Sequence, residues 1–145
     1  WGTGTGASFN TTMPTPEDLA SAGTSFLEVR LTATDSSGAS ATDTVQLYPQ
    51  TVQLTFATDP PGLKLILDGQ TYTAPATVVS AKGWSFSAGA NPQSRGICQN
   101  YAWSRWSDGG AASHTVITPE SDRNPFLTAT FTPLTRCSYL PVGQR

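Results

Sequence analysis

Charge is the first thing this chain has little of. Asp, Glu, Lys and Arg make up 12% of its 145 residues, the formal net charge is -2, and lysine is confined to Lys64 and Lys82. Such a balance supplies no basic field to hold a phosphate backbone, which excludes nucleic acid as an expected partner. No apolar run approaches the roughly 18 residues that a membrane-spanning helix needs. No basic stretch followed by a short apolar run opens the chain either. The expectation is therefore a soluble segment without membrane insertion, any export signal lying elsewhere. Histidine occurs once, as His114, and cysteine twice. So few imidazoles and thiols, with no CxxC, argue against a zinc site and against a redox pair. Phosphate-loop, haem and dinucleotide fingerprints are missing too.

What the chain has instead is Thr, Ser, Ala and Gly, with 11 prolines. A Thr-rich, Lys-poor composition with turn residues at short intervals predicts antiparallel sheet and little or no helix. Cys98 and Cys137 lie 39 residues apart. A structural disulfide in an exported protein is the expected reading, tethering the tail after the last strand, and two buried free thiols are the alternative.

Three stretches differ in character. Residues 1–24 show no period of either kind and read as a loop, arm or linker, with one helical turn possible in "EDLAS" after Pro16. From Ser25 the pattern alternates strictly. Phe26 or Leu27, with Val29, Leu31 and Ala33, points one way and Glu28, Arg30, Thr32 and Thr34 the other. "DSSG" then supplies a turn, and a second strand comes after it with Val45 and Leu47 on one face. This predicts a hairpin with one buried face, which two strands cannot cover by themselves. Either the hairpin packs on the strands C-terminal to it, or it ends a larger sandwich whose earlier strands lie outside this chain.

Residues 51–145 form the second unit. Strands are expected through Val52, Leu54 and Phe56, through Leu63, Leu65 and Leu67, and around Val78. Others run through Trp84 and Phe86, "QNYAWSRW", "SHTVITP" and "NPFLTATFTP". Turns at residues 59–62, 68–69 and 108–110 punctuate them. The prediction is an all-β, antiparallel, immunoglobulin-like sandwich of about nine strands in total.

The stretch "SFLEVRLTATDSSGASATDTVQLYPQ" resembles the last two strands of polycystic-kidney-disease (PKD)-type modules. The series Asp-Pro-x-Gly-Leu, Trp-Ser-Asp-Gly-Gly, His-Thr-Val and Thr-Ala-Thr-Phe resembles small extracellular β modules that include divergent internalin B-repeats. The two together, joined at "LYPQ", look like the C-terminal tandem of secreted bacterial surface and sugar-dehydrogenase-like proteins. That resemblance implies a secreted or cell-surface location. It also implies that Tyr101, Trp103 and Trp106 are mostly interior, with Phe131 facing them. Alternation alone puts Tyr101 and Trp103 on one face, and Trp106 joins them only through a bulge.

Sugar rings are bound by aromatic faces with amides and carboxylates taking the hydroxyls. The candidates for that chemistry are Trp84, Tyr72, Trp103, Asn91, Gln93, Asn100 and Asp108, with Tyr101 and Gln99 beside them. Each has a structural counter-reading: Trp84 as core or rim, the amides as solvated loop residues. Ser113, His114 and Asp108 spell a Ser-His-Asp set, but no G-x-S-x-G elbow or oxyanion-hole signature accompanies them. Most acids occupy turn motifs, so a paired-carboxylate glycosidase is not expected. No cofactor is expected; a weak calcium site at Asp35 and Asp43 is the one metal reading the turn allows. The functional expectation is a non-catalytic accessory module of an exported protein that binds polysaccharide or a cell-surface ligand. A structural spacer, or a module packing on other domains of the same protein, is the alternative.

Overall fold

The computed structural model describes residues 6, 10 and 14–134. Eleven strands are present among them: β1 Leu27–Thr34, β2 Ser40–Leu47, β3 Thr51–Asp59, β4 Lys64–Leu67, β5 Gln70–Thr73, β6 Ala76–Ala81, β7 Ser85–Gly89, β8 Gln93–Ser94, β9 Asn100–Trp106, β10 Ser113–Ile117 and β11 Arg123–Leu134. There is no helix among the described residues, and so none able to cross a membrane. The chain is all-β as expected. The strand number exceeds nine because very short pieces, such as the two-residue β8, carry too little alternation to be read from sequence.

β1 and β2 make a sheet of their own, a second sheet runs β10-β7-β4-β5, and a third runs β6-β3-β11-β9-β8. The last two share one sandwich-like core. Val52, Leu54 and Phe56 of β3, Leu65 and Leu67 of β4, Phe86 of β7, Trp106 of β9, Val116 of β10 and Phe131 of β11 belong to a single buried cluster. A buried hydroxyl pair, Ser80 with Thr118 at 2.6 Å, links β6 to the end of β10 across the two sheets. The third sheet is not purely antiparallel, which departs from the expectation. β11 runs parallel to β3, with Leu127 opposite Phe56 and Ala129 opposite Thr58. Alternation has period two in either direction, so the sequence pattern is blind to this difference.

Turn chemistry agrees closely with the sequence. Leu67 pairs with Gln70 around Asp68 and Gly69, both at positive φ (49° and 77°), the two-residue hairpin geometry that matches strand twist. In the β1–β2 turn, Asp35 Oδ1 accepts from the Ser37 N–H, the Ser37 hydroxyl and the Ala39 N–H. Those bonds, the Ser37 hydroxyl first, hold the Asp35 carboxyl below the usual range. Asp43 bonds its own neighbour Thr44 N. The three donors all fall on one oxygen of Asp35, and no group of three acids, histidines or cysteines gathers among the described residues.

Two expectations are overturned. The β1–β2 face carrying Leu27, Val29 and Leu31 with Val45 and Leu47 pairs Leu27 with Leu47 and Val29 with Val45, but the strands C-terminal to it do not bury it. Leu31 is 65% exposed, and beyond Leu27 the face meets solvent. "EDLAS" forms hydrogen-bonded turns rather than a helical turn. Asp18 and Ser21 bond each other reciprocally, Ser21 N donating to Asp18 Oδ1 at 2.7 Å and Asp18 N to Ser21 Oγ at 3.3 Å. A short polar side chain competes with the helical backbone in this way. The same segment is no mere linker, since Leu19 enters the core and its N–H donates to Asp68 Oδ2 at 2.9 Å.

Candidate functional site

The sequence-derived candidates do not form one constellation. Asn91 and Asn100 are exposed, in the β7–β8 connection and at the start of β9. Gln93 is spent on the fold: its Oε1 accepts from Lys64 N (2.7 Å) and its Nε2 donates to Lys64 O (2.9 Å). A side-chain amide thereby imitates a strand and ties β8 of one sheet to β4 of the other. Arg95 pins the same loop by donating to Pro61 O. Tyr72 lies on the edge strand β5, half-buried against the core. The loop's Cys98 stands at φ 70°; its expected partner Cys137 lies outside the described residues.

Trp103 and Trp106 belong with the core. β9 carries an extra residue against β11: Arg105 pairs with Thr130 and Trp103 with Phe131, leaving Ser104 between them. This is the bulge that returns Trp106 to the face of Tyr101 and Trp103. Trp106 is fully buried, and its Nε1 donates to Ala112 O at 3.3 Å. Trp103 and Tyr101 are half-buried against the cluster. The Trp103 Nε1 is buried without an acceptor among the described residues.

Asp108 and His114 form a clip across the turn. His114 Nε2 faces Asp108 Oδ2 at 3.0 Å, Nδ1 faces Ala111 O at 2.9 Å, and the ring stands edge-on to Trp106. Both ring nitrogens face acceptors supplied by the turn itself. A Cβ on Gly110 would lie 2.5 Å from the imidazole, so only glycine lets the ring close over this turn. Burial raises the Asp108 pKa, but the hydrogen bond from Gly110 N and the His114 contact outweigh it, and the carboxyl titrates below its ordinary 3.8. A carboxyl lowered by folding contributes stability above its unfolded pKa, and that contribution is lost as pH falls through the folded value. The stability gap between the wild type and Asp108→Asn is therefore expected to be open at pH 6 and to close towards pH 3. Urea midpoints across that range check it; a gap independent of pH would show that the clip is not electrostatic.

The remaining candidate, Trp84, sits elsewhere and opens onto a groove. It comes after a tight turn closed by Trp84 N to Ala81 O (3.1 Å), and it is gripped from the end of β10 by Thr118 N donating to Trp84 O (2.8 Å). Two residues apart at the start of β7, Trp84 and Phe86 share a face and stack at 5.5 Å and 27°. Phe86 in turn meets Phe56 edge-on at 6.1 Å, and Phe56 meets Phe126. This aromatic chain reaches into the core and braces the Trp84 ring.

The groove beside it, about 370 Å³, is walled by Pro14, Pro16 and Pro49, with Gln50, Lys82 and Glu120 around it. Lys82 is tied to Gln50 twice, by Lys82 N to Gln50 O (2.9 Å) and by Nζ to Gln50 Oε1 (3.2 Å). An ammonium has three donors, so two remain for a ligand, beside the Gln50 NH₂ and the Glu120 carboxylate. One cation and one anion on the wall suit a neutral, hydroxyl-rich ligand better than a polyanion. Sequence reasoning missed Gln50, Lys82 and Glu120 because they come from three separate connections with no shared motif. The prolines preceding "EDLAS" and within "LYPQ" were the local signal. Comparison with family models, curated proteins and solved structures gave no match.

Proposed function

We propose that this chain is a non-catalytic accessory module of an exported multidomain protein and that it binds carbohydrate at the Trp84 groove. The observation that carries this reading is a half-buried indole, braced by Phe86, lining a groove that also holds an amide, an ammonium and a carboxylate. An indole face takes the apolar face of a pyranose ring, and the polar groups take its hydroxyls. Proline walls have fixed φ and no N–H to leave unsatisfied, so the groove loses little freedom on binding.

Binding is tested by titrating tryptophan fluorescence with a panel of soluble glycans and by pull-down on insoluble polysaccharides. Trp84→Ala is expected to weaken binding about 30-fold, the effect of losing roughly 2 kcal/mol at a central aromatic contact. A panel that leaves the wild-type spectrum unchanged, with nothing retained on insoluble glycans, defeats the proposal. A second reading is favoured by the uncovered apolar face of the β1–β2 hairpin, onto which a neighbouring domain of the same protein would pack. Slower amide exchange of β1 and β2 in a longer chain than in this one would support it.

A further inference from the structure

We propose that the groove continues from Trp84 into a second aromatic subsite at Phe26 and Tyr48, so that it takes an extended neutral oligosaccharide rather than a single terminal sugar. The inference rests on the carbohydrate reading of Trp84 and concerns the length of chain that site accepts.

A second depression of about 250 Å³ shares Pro14, Thr15, Pro16 and Pro49 with the Trp84 groove, and Phe26 lines it. The two are contiguous over one proline saddle, and either exceeds the volume of a hexose ring. Phe26 immediately precedes β1 and Tyr48 comes immediately after β2. Because Leu27 pairs with Leu47, the two rings fall opposite each other just beyond the last ladder pair. Their centroids stand 5.7 Å apart at 46°, and they are 47% and 61% exposed. Two large rings held together and left in solvent offer apolar faces as Trp84 does; Phe26 lines the second depression and Tyr48 is in ring contact with it.

The chemistry of the saddle favours sugar over a proline-rich peptide. Such a peptide needs donors for its carbonyls along its length; the prolines of the shared wall have no N–H to give, and the Lys82 and Gln50 donors lie in the Trp84 compartment and not in the second. A sugar chain presents hydroxyls that side chains can meet, and the second compartment offers the Glu17 carboxylate as Glu120 does in the first.

Isothermal titration with β-1,4-linked gluco-, xylo- and chito-oligosaccharides from two to six units tests this, using the full chain and the variants Trp84→Ala, Phe26→Ala and Tyr48→Ala. For the series that binds, affinity is expected to rise about tenfold or more from disaccharide to hexasaccharide, the scale of one further aromatic contact. In Phe26→Ala and Tyr48→Ala the ratio of hexasaccharide to disaccharide affinity falls towards one. Both rings are substantially exposed, so thermal melts of these variants stay close to wild type. Wild-type affinity independent of length, or a rise that both variants preserve, overturns the subsite while the Trp84 site stands. If no glycan binds the wild type at all, the carbohydrate reading fails and this inference fails with it.

Discussion

Trp106→Ala is expected to lower the unfolding free energy by about 3–5 kcal/mol, the range for deleting a large buried aromatic. The residue is 1% exposed and sits where β9 meets β11, opposite Ala129. Its removal leaves a cavity beneath the His114 ring and takes the N–H donor from Ala112 O. Small domains are stable by only about 5–15 kcal/mol, so the variant should unfold at a much lower urea concentration. Trp103→Ala gives the internal comparison. That ring is half-buried and its N–H has no described acceptor to lose, so less than half the effect is expected. Trp106→Phe, which keeps a ring and loses the N–H, should fall between. Equal costs for Trp103→Ala and Trp106→Ala would show that the core is not centred where the structure puts it.

Leu19→Ala is expected to cost at least about 2 kcal/mol, as for other buried leucines, although it lies in a segment with neither helix nor strand. Leu19 is 6% exposed and packs in the same cluster as Phe56 and Leu67. If the segment were an arm lying on the surface, the change would be nearly neutral. Urea unfolding measures the cost, and limited proteolysis after residue 16 measures whether the segment has come loose. Asp68→Asn separates side-chain packing from backbone anchoring: asparagine also tolerates positive φ, but it weakens the charged acceptor of the Leu19 N–H. A protease-sensitive Leu19→Ala beside a resistant Asp68→Asn would assign the anchoring to the side chain.

Leu19 also marks where sequence reasoning ends. Leu19 and Ala22 are the buried residues of a segment that comes after Pro14 and Pro16, and two apolar residues three apart define neither a strand nor a helix of useful length. The Trp84 groove was half legible. The ring itself stood out as an aromatic beside polar residues, but its companions Gln50, Lys82 and Glu120 occupy three connections distant in sequence. The amides that looked most like a recognition loop proved otherwise engaged or apart, Gln93 because its side chain closes the gap between sheets.

Local alternation and turn residues were enough to establish that this chain is all-β. They also specified the strand faces of β3, β4 and β7, the Asp68-Gly69 hairpin, and the need for a bulge between Trp103 and Trp106. Each of these depends on side-chain direction or on φ at one or two positions, which neighbouring residues set. The tertiary structure alone decided that β11 runs parallel to β3, that the hairpin face stays uncovered, and that Leu19 enters the core. It alone gathered Trp84, Gln50, Lys82 and Glu120 around one groove. Period two says which way a side chain points; what it meets there is set by strands and loops far along the chain.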